Sequence, residues 1–427
     1  MIKQKRKTGR SFIMTSDTFM RTNPIVEEFQ MRESLLTKIR NRFYTYGYQQ
    51  VRTSTFEDYD MYSTITGTVN KDDMIKIVDA SGKVLVLRPD VTIPISKMTA
   101  WNNQQSRDRH RFFYVLDIFR QSIDGNGKKE NTQAGIECFG ESTVETDAEI
   151  LTLAIHTLKD LDFTNFKIEI GHAGFFKELI AESSLNGSQL EQLKTLIQTK
   201  NMTEIEAFLA ELPLSGALRS AIQKIPLLYG NPGDVIEQAK EVVLNENMQM
   251  KLDNLKQVVD TLKDYGVEDA IVCNLGLINN MNYYSDIIFQ GFTENVGKPV
   301  LMGGRYDNLG GENGNPIPAI GFAIDVDFLV HILDQRGLLP SQSGAVEMVI
   351  YYEREKQKEA LLTAFNLRKE GLQVLTFPSG TSNPNQIASR YSIYYGSKQN
   401  DLISNKQKQI FSNFNELIYL IQKEMAG

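Results

Sequence analysis

Residues 111–141, RFFYVLDIFRQSIDGNGKKENTQAGIECFGE, contain two strand-like runs on either side of a turn-forming segment. RFFYVLDIFRQS and NTQAGIECFGE carry apolar, aromatic and β-branched residues, and the segment between them supplies the Gly and Asn that tight turns need. Because strand side chains alternate between two faces, Gln133 and Glu137 share one face of the second run. Arg120 lies near the end of the first run. The stretch predicts a long antiparallel hairpin whose polar side chains could line a pocket.

Further strand and helix patterns surround this hairpin and predict a mixed or antiparallel sheet. A helix is predicted over residues 23–48 and another over residues 93–101, and a third begins near Asp325. The predicted strands are YQQVRTSTFE (48–57), DMIKIVDASGKVLVLRP (73–89, with a turn at Ser81-Gly82), FKIEIGH (166–172), DAIVCNLGL (269–277), YYSDIIFQGF (283–292) and KPVLMGGRYD (298–307).

The order of these patterns predicts four regions. Residues 1–20 are interpreted as a flexible, basic N-terminal tail, and residues 21–172 with 266–335 as one discontinuous core. Residues 173–265 consist of leucine-rich helical stretches and form a predicted helical insertion. A linker-like segment, RGLLPSQSG (336–344), precedes a small C-terminal α/β domain over 345–427, in which EMVIYYE, a helix over 356–369 and LQVLTFP alternate as β-α-β. The predicted fold class is therefore α+β.

Composition excludes several classes of function. The chain has 427 residues, a net charge of −7, two cysteines and four histidines. The cysteines, Cys138 and Cys273, match no metal or disulfide spacing, and the histidines show no ligand spacing, so no metal site and a reducing cytoplasm are expected. The negative net charge does not favour binding to nucleic acid. No stretch approaches the roughly 20 consecutive apolar residues of a membrane-spanning helix.

Two motifs remain open on spacing alone. LRPDVTIPISKM (87–98) places Arg88 and Asp90 at a strand end and Thr92 at a helix start, a place suited to an ammonium or phosphate contact, although Arg-Pro-Asp is more often a turn. MGGRYDNLGG (302–311) could form a phosphate-binding loop, but it has neither Walker nor GxGxxG spacing, and a tight turn is favoured.

The motifs LRPDVT, FR followed by QAGIE, LINNMNYY (277–284), GGRYDNL and AIGFAIDVD together resemble the catalytic core of class II histidyl-tRNA synthetases. They resemble equally the paralogues of these enzymes, the regulatory subunits of ATP phosphoribosyltransferase. The resemblance covers about residues 21–335. It implies a class II aminoacyl-tRNA synthetase-like antiparallel sheet of six or seven strands flanked by helices, a homodimer, and a pocket for free L-histidine.

The resemblance implies a set of histidine-binding residues. Asp90, Thr92 and Gln133 correspond to groups that hold the α-ammonium, and Glu137 and Tyr284 to groups that hold the imidazole. Tyr306 lines the same pocket, and Arg120 is the residue left to bind the carboxylate of histidine. A carboxylate with a phenol can satisfy both ring nitrogens, while a second carboxylate pairs with the ammonium.

The nucleotide side departs from the synthetase pattern. Asn279 stands where the synthetases have a catalytic arginine, Phe328 where motif 3 has another, and Ser122 where motif 2 has a glutamate. Because adenylate formation needs cationic stabilisation of the phosphate, these three lost positions imply no catalytic residues and no cofactor. The pattern favours a non-catalytic protein.

The predicted function is a regulatory subunit that associates with a short-form catalytic subunit of ATP phosphoribosyltransferase, as a homodimer within a hetero-oligomer, and senses histidine for feedback inhibition. The C-terminal domain stands where the synthetases bind the anticodon, but it has no aromatic-basic cluster, so no tRNA partner is expected. The alternatives are a divergent histidyl-tRNA synthetase, a relic without a ligand, and a nucleic-acid sensor that would need a basic groove.

Overall fold

The structure is a computed structural model that describes residues 24–63, 69–102, 109–123, 128–278, 283–307, 309, 317–336, 346–380, 389–404 and 407–425. The predicted tail 1–20, the tip of the hairpin (124–127), Asn279 and most of the predicted linker lie outside the described residues. The chain divides into two compact units, Ser34–Leu338 and a second made of Met1–Glu33 with Leu339–Gly427.

The larger unit mixes helices and strands along its length. In chain order it begins with the part of α1 (Pro24–Thr45) from Ser34 onward, followed by β1 (Gln49–Gln50), β2 (Phe56–Asp58), α2 (Asp60–Ser63), β3 (Lys76–Val78), β4 (Val84–Leu87), α3 (Thr92–Asn102), β5 (His110–Ile123), β6 (Lys128–Phe139), α4 (Val144–Asp160) and β7 (Phe166–His172). It continues with α5 (Ala173–Ala181), α6 (Gly187–Thr199), α7 (Met202–Ala210), α8 (Gly216–Lys224), β8 (Tyr229–Gly230), α9 (Pro232–Ala239), α10 (Glu246–Asp264), β9 (Ile271–Asn274), β10 (Ile287–Thr293), β11 (Leu301–Arg305), β12 (Ala319–Asp325) and α11 (Val326–Gln335).

The main sheet has nine strands among the described residues, in the order β1-β5-β6-β12-β11-β10-β7-β9-β8. This exceeds the six or seven strands that the resemblance implies, because two-residue strands extend both edges. The interior pairings are antiparallel from β5 to β7, whereas β1 with β5 and β7 with β9 run parallel. The long hairpin of β5 and β6 is confirmed, and its strands are the second and third of the sheet, counted from the β1 edge.

One strand prediction was wrong in detail, and one strand was not predicted. The segment 48–57 was expected to form one strand, but it divides into β1, in the main sheet, and β2, which belongs to a separate three-stranded sheet with β4 and β3. The turn at Gly47, with φ of 79°, ends α1 and re-directs the chain before β1. Strand β12 was not predicted because its first six residues, AIGFAI, are continuously apolar, and such a run does not distinguish a buried strand from a buried helix.

The helices between residues 187 and 264 begin at residues with strong capping chemistry. In α6 to α10 an Asn or Ser side chain accepts a hydrogen bond from a backbone N–H of the first turn. These capping residues are Asn186, Asn201, Ser215, Asn231 and Asn245. The region is not purely helical, since β8 adds a short edge strand to β9.

The smaller unit contains β13 (Val346–Tyr352), α12 (Gln357–Lys369), β14 (Val374–Pro378), β15 (Ser389–Tyr395), β16 (Asn400–Ser404), β17 (Gln407–Phe411) and α13 (Phe414–Met425). Its sheet has the order β14-β13-β15-β16-β17, with β13 parallel to both of its neighbours. The first three elements form the predicted β-α-β unit. Strands β15 to β17 and α13 complete a core that the sequence analysis did not describe.

Candidate functional site

A cavity of about 340 Å³ lies against β5, β6, β12 and β11 of the main sheet. Its volume falls in the range of small-ligand sites. All seven residues predicted to bind histidine line it, although they come from widely separated parts of the chain: Asp90, Thr92, Arg120, Gln133, Glu137, Tyr284 and Tyr306.

Glu137 is the carboxylate at the centre of the cavity and is only 2% exposed. The Thr92 hydroxyl donates a hydrogen bond to Glu137 Oε1 over 2.6 Å, and the Tyr306 hydroxyl donates to Oε2. Burial raises the pKa of Glu137 to about 8, although the two donated bonds favour the ionised form and oppose this shift. The carboxyl is therefore poised to exchange a proton near neutral pH.

The hydroxyl contacts of Glu137 differ in detail from the implied roles. Thr92, expected at the α-ammonium, donates its proton to Glu137, which leaves the lone pairs of its oxygen available to an ammonium. Tyr306, rather than Tyr284, is the phenol bonded to the carboxylate.

Glu137 and Tyr284 lie so close to the neighbouring strands β12 and β11 that those strands have no room for a side chain at the points of contact. A Cβ built on Gly321 of β12 would collide with Glu137 Oε2 and the Ile136 carbonyl oxygen. A Cβ on Gly304 of β11 would lie 2.8 Å from the Tyr284 ring. Glycine at these two positions lets the carboxylate and the phenol lie against adjacent strands.

Asp90 and Arg120 provide opposite charges in the cavity. Asp90 Oδ1 accepts a hydrogen bond from the Ile93 N–H over 2.8 Å at the start of α3. Burial raises the pKa of Asp90, while the backbone bonds and the positive charge of Arg120 oppose that shift. Arg120 Nε donates to the Pro89 carbonyl over 3.0 Å, so its guanidinium is fixed beside the same helix start. A carboxylate has about four lone-pair sites, so the cap leaves Asp90 able to accept from an ammonium.

Three tyrosines form an aromatic wall. Tyr284 is 5% exposed, and its ring centre lies 4.4 Å from that of Tyr283. The Tyr283 ring meets the Tyr306 ring edge-on, at 5.8 Å between centres. The two adjacent phenols of YY therefore pack together and define one side of the cavity.

Other residues that line the cavity were not predicted, among them Tyr114, Asn131, Tyr283 and Lys298. The alternation used for β6 could have found Tyr114, because Tyr114, Ile118 and Arg120 occupy one face of β5. No comparable signal marks Lys298, which lies in the connection between β10 and β11. Its Nζ is 3.6 Å from Asp325 Oδ2 and 4.9 Å from the Phe328 ring centre.

Two arginines of the motifs have structural roles. Arg88, considered as a ligand contact, is buried and donates to the backbone carbonyls of Asp117, Thr53 and Ser54 at 2.7–3.1 Å. Arg305 of GGRYDNL is also buried, and its Nε donates to Asp147 Oδ1 over 2.9 Å. That pair fixes the end of β11 next to Tyr306.

The three lost synthetase positions are described unequally. Asn279 and the side chain of Ser122 lie outside the described residues. Phe328 lies in the first turn of α11, where its N–H donates to Asp325 and its ring is partly buried. An uncharged ring therefore stands at the position that the resemblance assigns to a cation.

The described residues contain no group of three or more His, Cys, Asp or Glu side chains arranged to hold a metal ion. Within those same ranges, no helix is long and apolar enough to cross a membrane. Cys138 and Cys273 are both buried and free.

A class II synthetase-like sheet with an amino-acid-sized pocket defines the class of this protein. The family model described as histidyl-tRNA synthetase matches residues 24–329. More particularly, the chain belongs to the family of ATP phosphoribosyltransferase regulatory subunits. It is 43% identical over 411 residues to the protein of that name from Oceanobacillus iheyensis, a match that covers 96% of this chain and 100% of that protein. The one from Acetivibrio thermocellus is 36% identical over 344 residues, with 80% and 82% covered.

Solved structures are similar over most of the chain. A Bacillus halodurans structure described as an ATP phosphoribosyltransferase regulatory subunit/histidyl-tRNA synthetase has a TM-score of 0.77 and 25% identity, and the match covers 91% of this chain and all of that one. The histidyl-tRNA synthetase of a Nostoc species has a TM-score of 0.78 at 16% identity, with 97% and 100% covered, which shows the shared fold alone.

Proposed function

We propose that this chain is a non-catalytic subunit that binds free L-histidine and regulates a short-form catalytic subunit of ATP phosphoribosyltransferase, the enzyme of the first step of histidine biosynthesis. The observation that supports the proposal is that one cavity around Glu137 is lined by all seven residues predicted to bind histidine, while Phe328 stands at a position that the resemblance assigns to a nucleotide contact. Bound histidine inhibits the complex. The working assembly is a homodimer of this chain within a hetero-oligomer, without tRNA.

The chemistry of the cavity matches the three polar ends of histidine. Glu137 can accept an N–H of the imidazole, and Tyr284 or Tyr306 can complete the contacts of the ring. Asp90 and Gln133 offer oxygens to the α-ammonium, and Arg120 offers a guanidinium to the carboxylate. Analogues that lack the imidazole N–H leave Glu137 buried without its partner, so we expect selectivity for histidine.

Regulation requires that histidine and the partner enzyme each favour one state of this chain. A coupling of about 1–3 kcal/mol between the two sites is typical, and it must be reciprocal for binding. The experiment that tests the proposal is to co-purify the chain with a short-form phosphoribosyltransferase and titrate the complex with histidine by calorimetry. A stable complex with stoichiometric histidine binding supports it, whereas failure of either step contradicts it.

Histidine affinity is expected to be highest between about pH 6.5 and 8. The free imidazole has a pKa of about 6.5, and in the empty pocket burial raises the pKa of Glu137 to about 8. The proposed bound pair is a Glu137 carboxylate with a protonated imidazole ring, which together hold one titratable proton. Below about pH 6.5 the free imidazole and Glu137 each carry a titratable proton, so binding must release one of the two. Above about pH 8 neither group carries a titratable proton, so binding must take one up. Affinity should therefore fall by about tenfold per pH unit beyond each limit.

Calorimetric dissociation constants between about pH 5.5 and 9 test this profile. Glu137→Gln is the matched control, because an amide does not titrate; its affinity should not decline on passing the alkaline limit set by Glu137, and this separates that group from the α-ammonium of the ligand. A flat wild-type profile would show that Glu137 does not exchange a proton with the bound ring.

Tyr284→Phe is expected to raise the histidine concentration for half-inhibition of the complex about three- to tenfold. The change deletes one hydroxyl of the wall, which hydrogen-bonds with Tyr283 and is worth roughly 0.5–1.5 kcal/mol. Activity without histidine should change little, because a ligand shifts an equilibrium only by its differential affinity for two states. The measurement is phosphoribosyltransferase turnover against histidine concentration.

Tyr265→Phe is the control for this variant, since Tyr265 is exposed at the end of α10 and does not line the cavity. An unmoved inhibition curve for Tyr284→Phe would place histidine sensing elsewhere. Loss of activity at zero histidine would assign Tyr284 to the assembly of the complex instead.

A further inference from the structure

Tyr284 also lines a second cavity, of about 350 Å³. This cavity is formed by α5 and α6, by the residues that follow β9 and by the start of β10. Two lysines, Lys177 and Lys194, are the charged residues of its described lining. The other lining residues are apolar or aromatic: Ala173, Phe176, Ile180, Ala181, Leu190, Leu277, Ile278, Tyr284 and Ile288. We call this the rear cavity, to distinguish it from the histidine cavity around Glu137.

Two lysines line the rear cavity, and Glu191 and Asp286 offset part of their charge. Lys194 is only 8% exposed, and its Nζ lies 2.8 Å from Oε1 of Glu191, whose own side chain is largely solvent-exposed. Lys177 lies at the mouth of the cavity, where its Nζ donates to the backbone carbonyl of Tyr284 over 2.6 Å. Partial desolvation lowers the pKa of Lys177; the charge of Asp286 opposes this shift, and the charge of Lys194 adds to it. An anion placed between the two lysines would relieve both effects.

We propose that the rear cavity binds a small monocarboxylate with an apolar body, and that this ligand weakens histidine binding through Tyr284. The cavity volume is at the lower end of the range for small-ligand sites, which excludes large cofactors. Its apolar lining suits an alkyl or aryl chain, and a lysine at such a site acts as a point charge toward a carboxylate. A fully hydrated polyanion would lose too much solvation in these surroundings.

The link to the histidine cavity is geometric. Tyr284 lines both cavities. The bond from Lys177 to the Tyr284 carbonyl holds the segment that carries Tyr284 in place. A carboxylate that draws Lys177 toward itself competes with the carbonyl for the ammonium, so the wall that contacts histidine is held less firmly. By linkage, histidine must weaken binding of the carboxylate by the same factor.

The test uses hexanoate as the probe and hexanamide as its neutral counterpart, with the full-length chain and ligand-observed NMR titration. Hexanoate is expected to bind about tenfold more tightly than hexanamide, because its hydrogen bonds are charge-assisted. Lys177→Met and Lys194→Met should each remove most of that difference while keeping the apolar stem of the side chain. Lys224→Met, which removes an exposed lysine of α8, is the control and should change hexanoate affinity by less than about twofold.

Equal binding of hexanoate and hexanamide, or hexanoate binding that neither lysine variant weakens, would overturn the anion site. Because Lys177 is exposed, its variant remains informative even if the buried Lys194 variant unfolds. Ala181→Phe, at the exposed edge of the cavity, should also weaken hexanoate binding by filling space. These measurements do not involve histidine, so they decide the site even if the proposed function fails.

The coupling rests on the proposed function and is tested separately. Saturating hexanoate should raise the calorimetric dissociation constant of histidine by about threefold or more. Lys177→Met should abolish this change. If hexanoate binds but the affinity for histidine is unchanged or increased, the competition for Lys177 is wrong, although the anion site itself stands.

Discussion

With saturating histidine and ATP, the purified chain is expected to show no pyrophosphate exchange at synthetase rates. Removing one preorganised transition-state contact costs on the order of 10²–10³ in rate, and this chain has Asn279 and Phe328 at two positions that the resemblance assigns to arginine in the synthetases. Neither an amide nor a phenyl ring can neutralise the charge that develops on the α-phosphate. The measurement is histidine-dependent incorporation of labelled pyrophosphate into ATP.

A histidyl-tRNA synthetase assayed in parallel shows that the conditions support the reaction. Asn279→Arg alone should not restore exchange, because Phe328 still stands at the second position. Exchange by the wild-type chain at the rate of the control enzyme would favour the divergent synthetase and would contradict a purely regulatory role.

Glu137→Gln is expected to weaken histidine binding by about 1.5–3 kcal/mol, which corresponds to roughly 10- to 150-fold in the dissociation constant. The carboxylate is buried, and it accepts bonds from Thr92 and Tyr306 that hold it toward the cavity. An amide keeps the size of the side chain but cannot carry the negative charge that pairs with a protonated ring. Its NH₂ group is a donor, so the hydroxyl of Thr92 or Tyr306 that faces it can no longer donate a hydrogen bond to residue 137.

Isothermal calorimetry at neutral pH measures this change. Glu169→Gln is the matched control, because Glu169 lies on β7 of the same sheet, accepts a hydrogen bond from Asn274, and is outside the histidine cavity. Equal affinities of wild type and Glu137→Gln would mean that the imidazole is bound by other groups. Absence of heat with millimolar histidine in the wild type would mean that the pocket is a relic.

Local patterns in the sequence predict those parts of the fold that depend on neighbours along the chain. Alternation places Gln133 and Glu137 on one face of β6, and the leucine-rich stretches of residues 173–265 contain the helices α5 to α10. Strand β12 was not recognised because its residues before Asp325 are apolar without alternation. Edge strands of two residues, such as β8, carry no pattern at all.

The site was predictable only through resemblance, because its members lie far apart in sequence. Asp90 and Tyr306 are separated by more than half of the chain, and no spacing rule brings them together. The bonds from Thr92 and Tyr306 to Glu137 depend on which hydroxyl the topology brings close to the carboxylate. The rear cavity could not be predicted from the sequence either, because its lining combines residues of α5 and α6 with residues around 277 and 288.

Control of the partner enzyme by histidine bound at Glu137 is the central claim. The most direct measurement is phosphoribosyltransferase turnover of the reconstituted complex against histidine concentration, with wild type beside Glu137→Gln. We expect the variant complex to keep its activity without histidine, and its half-inhibition concentration to rise by the same factor as its calorimetric dissociation constant, about 10- to 150-fold. An inhibition curve that stays in place while binding to this chain is weakened would show that histidine acts at another site.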